Sequence, residues 1–226
     1  MNRTRIEWTD YSWNPITGCL HDCWYCYAKK LFTRFHRSFE PTFHPERLDE
    51  PFHLDMRNKR TRHIRVFVCS VADLFAPWTK PEWRDRVLEV VMNPGLRFID
   101  FQLLTKNPEN VPDSIMETEF PENVWIGATI TGRNDQHLDT YMKYINCGVR
   151  FLSFEPLLGE VNCTLENIDW IIIGKLTGSR KIPLQKEWVQ SLINQARALK
   201  VPVFIKNNVG WPERLQQFPQ EATSRG

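Results

Sequence analysis

The chain has 226 residues, a length that suits one α/β domain, and its 42% hydrophobic content can fill one core. A net charge of +2 is too small to announce a nucleic-acid protein by bulk electrostatics. No apolar run nears the ~18 residues that span a bilayer, and the opening "MNRTRIEWTD" has no signal-peptide core, so a cytoplasmic protein away from membranes is expected.

A first strand is expected near residues 11–17. Residues 37–62 are aromatic, Pro-containing and irregular, and read as an insertion before the second strand. The basic run "RNKRTRHIR" at 57–65 reads as a solvated loop, with phosphate contact as the lesser reading. Apolar runs follow as "IRVFVCS", "RFIDFQLLT", "VWIGATI", "VRFLSF", "DWIIIG" and "VPVFIK". They are short, rich in β-branched and aromatic residues, and apolar almost throughout. Strands buried on both faces of a parallel sheet have that composition.

Helical periods lie between the runs. Trp83, Val87, Val90 and Val91 share a face, as do Leu138, Tyr141, Met142 and Ile145. Trp188, Val189, Leu192, Ile193, Ala196 and Leu199 do the same. Pro81 and Pro108 stand where helices begin. The link from "VRFLSF" to "DWIIIG" is too short for a full helix, and the tail at 212–226 is expected to fray. The alternation predicts a single parallel α/β domain over 1–226, as a barrel or a doubly wound sheet. No strand is followed by GxGxxG or a Walker pattern, which counts against the nucleotide-binding doubly wound forms.

The strand ends carry hydrogen-bonding groups. They are Ser70 and Asp73, Thr105 and Lys106, Thr129 and Thr131, Ser153 and Glu155, Gly174 and Lys175, and Lys206 and Asn207. In a parallel barrel such ends meet at one rim, where active sites form. Six tips of this kind predict one shared cavity.

Half of the six cysteines crowd into "GCLHDCWYCYAK", as Cys19, Cys23 and Cys26. A reducing compartment disfavours disulfides and points clustered thiols toward metal or redox chemistry. Structural zinc takes four ligands; His21 or His36 would have to complete the set, and no second pair follows. Cubane [4Fe–4S] clusters usually take four thiolates. Three thiolates leave one iron open to a small molecule, and the spacing favours that reading. A non-catalytic zinc or iron–sulfur module remains the alternative of another class.

"CLHDCWYC" resembles the Cys-x3-Cys-x-aromatic-Cys signature of the radical S-adenosylmethionine (radical SAM) superfamily, with Tyr25 as the aromatic residue. "WNPITGCLHDCWYCYAKK" is similar to the spore photoproduct lyase-like branch. It is most similar to a phage- and prokaryote-borne radical SAM family of unassigned substrate. "IEWTDYSWNP", "SVADLF", "LLTKNPE", "RFLSFEPLLG" and "IDWIIIG" extend the resemblance to about Trp211.

The resemblance implies a partial (β/α)6 TIM-like barrel of parallel strands with outer helices. It implies a [4Fe–4S] cluster on Cys19, Cys23 and Cys26 that binds S-adenosyl-L-methionine, cleaves it reductively and so abstracts hydrogen from a substrate. An electron donor such as flavodoxin or ferredoxin is then required. The substrate implied is a nucleic acid or nucleotide, with a small molecule or peptide as the alternative. Tyr25 would pack beside the cluster. Ser70 or Asp73 would accept from the methionine ammonium, and Lys106 would pair with the carboxylate. Thr129 and Glu155 would lie near the ribose or substrate, and Gly174 near the adenine. Relatives often read Gly-Gly-Glu-Ser-Gly where this chain has "GKLTG" at 174–178, which removes a carboxylate and adds Lys175. Cys69 falls where the lyase keeps a hydrogen-donating cysteine, although a one-residue offset in a strand reverses the side chain.

Overall fold

The computed structural model describes residues 1–54, 64–111, 120–178 and 182–219. Of the basic run at 57–65, only Ile64 and Arg65 fall within them. Ten strands are described: β1 (Asn2–Arg3), β2 (Tyr11–Trp13), β3 (Ile16–Thr17), β4 (Thr42–Phe43), β5 (Ile64–Val68), β6 (Ile99–Thr105), β7 (Val124–Thr129), β8 (Val149–Phe154), β9 (Trp170–Ile173) and β10 (Val203–Ile205). The helices are α1 (Tyr27–Arg34), α2 (Pro81–Val91), α3 (Asp139–Met142) and α4 (Lys186–Ala198).

Eight strands form one sheet in the order β1-β2-β5-β6-β7-β8-β9-β10. All neighbours from β2 to β10 run parallel, and β1 alone is antiparallel to β2. β1 and β10 pair only inward, so the sheet is open and no closed barrel forms. The seven expected runs all became parallel strands. β3 pairs with β4 inside the expected insertion, which also holds two short 3-10 turns at Pro45–Arg47 and Glu50–His53.

Side-chain alternation divides the sheet. Val66, Val68, Phe101, Leu103, Ile126, Ala128, Leu152, Phe154, Ile171 and Ile173 pack with α2 and α4 in the larger core. Phe67, Trp125, Phe151, Trp170, Ile172 and Phe204 point the other way and enclose Trp8. Trp8 meets Phe67 of β5 at 4.8 Å and both Phe151 of β8 and Trp170 of β9 at 6.3 Å. One ring touching strands three and four positions apart requires a strongly curved sheet. Gly127 permits the same curl, because a Cβ there would stand 2.5 Å from the Phe151 ring.

Two expectations change. The helix expected around 134–146 shrinks to a 3-10 turn and the four residues of α3. Most of the one expected after Pro108 lies outside the described residues, past a short 3-10 turn at Pro108–Asn110. The tail is not frayed from 212 to 219. Gln217 O accepts from Trp170 Nε1 at 2.9 Å, Gln217 Oε1 accepts from Val203 N at 3.0 Å, and Phe218 packs on Trp170 and Phe204. Arg65 lies 3.7 Å over the Phe218 ring. Polar spacing at 212–217 hid these contacts, because their partners are remote in sequence. Residues 220–226 lie outside the described residues.

Deleting residues 212–226 is therefore expected to destabilise the protein by about 3 kcal/mol, since it uncovers aromatic surface and orphans a buried indole N–H. The shift in urea midpoint measures it; an unchanged midpoint contradicts the plug.

Candidate active site

Because β5 to β10 are parallel, their C-terminal ends share one edge. A cavity of about 550 Å³ opens there. Its lining includes Ser70 and Asp73 after β5, Thr105 and Lys106 at β6, Thr129 at β7, Ser153 and Glu155 at β8, Lys175 after β9 and Lys206 after β10. Cys19, Cys23, Cys26 and Tyr25 line the same cavity. Gly174 and Cys69 are not among its lining residues.

The cysteine loop is pinned by backbone bonds. Gly18 N donates to Val71 O at 3.2 Å and Cys19 N to Phe39 O at 3.1 Å. Gly18 has φ +88°, and a Cβ there would stand 2.3 Å from Glu40 O, so only glycine fits. Cys26 N donates to Cys23 O at 2.9 Å, closing a turn into α1. Cys26 then caps that helix, its Sγ accepting from Lys29 N at 3.3 Å. Tyr27 OH donates to Ser70 O at 2.7 Å. All three thiols are half-buried and free. Burial pushes the Cys19 thiol up to about 11. Among the described residues no three His, Cys, Asp or Glu converge on one point as a single metal ion requires.

Asp73 is the hub of the site. Its Oδ1 accepts from Thr105 Oγ1 at 2.6 Å and Phe75 N at 3.1 Å. Its Oδ2 accepts from Lys106 N at 2.9 Å and Asn107 Nδ2 at 3.0 Å. His21 Nε2 lies 3.0 Å from the same Oδ2 and 3.0 Å from Asn107 Nδ2. The hub ties the cysteine loop, the turn after β5 and the tip of β6 together. Ser70 Oγ donates to Asn14 Oδ1 at 3.1 Å.

Lys106 points its ammonium over the Tyr25 ring at 5.6 Å. Burial pushes its pKa below the ordinary lysine value, opposed by Cys23, Asp135, Asp73 and Cys19. Burial, with Cys23 beside it, holds the Tyr25 phenol well above its usual range. Glu155 forms an ion pair with Lys206. Gly174 backs onto Glu155: a Cβ there would stand 2.9 Å from that carboxyl carbon. Gly174 thus shapes the site through Glu155.

Cys69 is buried in the larger core, on the face away from the cavity. Burial pushes its thiol up to about 12. β5 ends at Val68, and Cys69 takes a left-handed φ of +55° in the turn that follows, so its side chain joins Val66 and Val68 in the core instead of following Phe67, and the structure does not bring it to the site. Cys147 and Cys163 are likewise pushed up to about 12 by burial and lie outside the cavity. His36 lies exposed past the end of α1, and His21 Nε2 is engaged by Asp73 and Asn107.

Sequence reasoning placed Ser153 among the strand tips but passed over Arg5 and Glu7, which also line the cavity. Trp8 and Ser153 are 2% and 1% exposed, and Trp8 Nε1 and Ser153 Oγ have no hydrogen-bond partner among the described residues. Buried polar atoms left this way are uncommon and mark a place where a ligand or water completes the set. Arg5 and Glu7 enter from the link between β1 and β2. A polar segment before the first expected strand gave no signal of this.

A family described as proteins of unknown function, DUF5131, matches residues 3–225. The chain belongs to the DUF5131 family. No curated protein matches this DUF5131 chain in sequence. Its fold is similar to that of a spore photoproduct lyase double mutant solved with bound AdoMet and dinucleoside spore photoproduct. The TM-score is 0.54, the identity 10%, and the alignment covers 87% of this chain and 63% of that one. At that identity the likeness concerns the fold, and the DUF5131 chain spans under two thirds of the lyase's length. No described helix is long and apolar enough to cross a membrane.

Asp73→Ala is expected to cost about 3 kcal/mol, because five polar groups lose one buried partner. Urea denaturation reads the loss, and Cys19 should react faster with a thiol reagent as its loop loosens. Cys69→Ala tests the other placement. The unfolded thiol loses its proton near its ordinary 9.0 while the folded one keeps it to about 12, so stability falls as pH rises through that range. The variant should lessen that alkaline fall and leave ligand binding in the cavity unchanged.

Proposed function

We propose that this protein is a radical S-adenosylmethionine enzyme acting on a nucleic acid or nucleotide. One observation carries the reading: the three closely spaced cysteines and the polar tips of six parallel strands line a single cavity. The sheet resembles that of an enzyme solved with AdoMet and a dinucleoside, which supports the same choice.

The donor set fits an iron–sulfur cluster better than zinc. Structural zinc takes four donors, and the cavity offers three thiols with no second cysteine pair. A cubane takes one thiolate per iron, so its ligands stand apart. Cys19, Cys23 and Cys26 would hold it. When bound, a [4Fe–4S] cluster supplies the electron that splits the sulfonium, so that hydrogen can be taken from the substrate.

The chain's own residues would do the positioning. Lys106 offers a partly desolvated ammonium for the methionine carboxylate, strengthened by the low polarity around it. Asp73 holds the backbone beneath Lys106 and has its acceptor sites filled, so Ser70 is the freer acceptor for the amino group. Thr129, Ser153 and Trp8 offer hydrogen-bonding groups to the ribose and adenine. The Glu155–Lys206 pair and Lys175 face the remaining space, where Lys175 and Arg5 would meet a phosphate. The volume matches ordinary small-ligand sites.

Anaerobic reconstitution tests this. About four iron and four sulfide per chain, and 5′-deoxyadenosine on reduction, are expected. Cys26→Ala should lose the bound iron. Lys106→Met should keep the cluster and weaken S-adenosylmethionine binding at least tenfold, about 1.4 kcal/mol. A colourless protein carrying one zinc overturns the proposal.

A further inference from the structure

Five of the nine large hydrophobic side chains exposed on the described surface fall between residues 20 and 35. Leu20 and Trp24 lie in the cysteine loop. Tyr27, Leu31 and Phe35 follow at four-residue steps along α1 and its cap, at 52%, 44% and 59% exposure. Such spacing lays side chains along one helix face. The helix itself is lightly seated. Ala28 is its buried residue, and Phe32 rests half-buried against Phe39 at 5.0 Å. Scattered single apolar residues need no explanation, but a contiguous patch marks an interaction site.

Charge is concentrated in the same place. Residues 19–37 contain Lys29, Lys30, Arg34 and Arg37 against one acid, Asp22, while the whole chain carries only +2. Asp22 is already paired with Lys29. α1 itself has no acidic residue. An apolar centre with a basic rim fits an acidic protein surface, where charge sets orientation and encounter rate. Trp24, Tyr27 and Phe35 offer rings on which bases stack, but Leu20 and Leu31 among them make the centre a mixed aliphatic and aromatic one of the kind protein interfaces bury. The patch also shares its backbone with the thiols. Trp24 lies between Cys23 and Cys26, and Cys26 caps the helix that carries Leu31.

We infer that α1 and the cysteine loop form the docking face for a small acidic electron-carrier protein. This rests on the proposed function, since only a redox group at the cysteines gives such a carrier a purpose. One electron leaves the carrier, which is oxidised by one unit. It enters the group on Cys19, Cys23 and Cys26, which is reduced by one. No atom is exchanged at this contact.

The test uses the full reconstituted chain, Leu31→Glu and the double variant K30E/R34E, with flavodoxin as the carrier. S-adenosylmethionine cleavage is driven either by reduced flavodoxin or by dithionite, and flavodoxin affinity is measured by calorimetry at low and high salt. Both variants should lose at least tenfold in the flavodoxin-driven rate and keep the dithionite-driven rate. Salt should weaken flavodoxin binding to the unaltered chain more than to K30E/R34E. Rates and affinities within twofold of the unaltered chain overturn the docking face. So does an effect of Leu31→Glu on oligonucleotide binding with none on flavodoxin. Failure of dithionite to drive cleavage in the unaltered chain instead sinks the proposed function, and the calorimetry then decides the docking face alone.

Discussion

The site depends on one buried carboxylate. Asp73, 5% exposed, meets polar groups from the cysteine loop, from its own turn and from the tip of β6. A charge this far from water persists only when its lone pairs are filled. Here they are, so the network is both stable and demanding. Any shift of the cysteine loop by a fraction of its bond lengths would leave a donor or an acceptor unpaired. The placement of three thiols near Lys106 thus follows from satisfying Asp73, and Lys106 gains its fixed position from the backbone bond at its own nitrogen.

The curved sheet supplies the rest. One face is aliphatic and carries α2 and α4. The other closes around Trp8, Phe151 and Trp170, with Phe218 packed on Trp170 and Phe204. Large rings fill the concave side with few residues and gain from tilted and edge contacts. That filling stops short of the C-terminal strand ends, and the space left over is the cavity. The unpartnered Trp8 Nε1 and Ser153 Oγ lie where aromatic packing gives way to that space.

Lysines dominate the cavity's unpaired charge. Glu155 is engaged with Lys206, Asp73 is saturated, and Glu7 accepts from Asn207 N at 2.9 Å. Lys106 and Lys175 have no described carboxylate within ion-pair distance. An anionic ligand group is what such a balance favours, and the basic face of α1 continues it outside. The two regions serve different ends: one encloses a small group, the other offers a broad apolar surface.

The amino-acid sequence by itself determined the parallel strands, since near-continuous β-branched and aromatic runs can only be buried on both faces. It also placed the polar tips and the three cysteines, because spacing along a strand or loop is a local property. It foretold the loss of a helix between β8 and β9 from chain length alone. Tertiary structure decided which of those residues face the cavity. Cys69 and Ser70 are neighbours, yet the turn that opens at Cys69 with φ +55° sends the first into the core and the second to the rim. Gly174 proved to act on Glu155, a partner 19 residues away. The tail at 212–219 looked unstructured until Trp170 supplied an indole donor and an aromatic face. Pattern along the chain reports the period of each element; direction and partnership arise only when remote segments meet, and hydrogen bonds such as those of Asp73 have no sequence period to betray them.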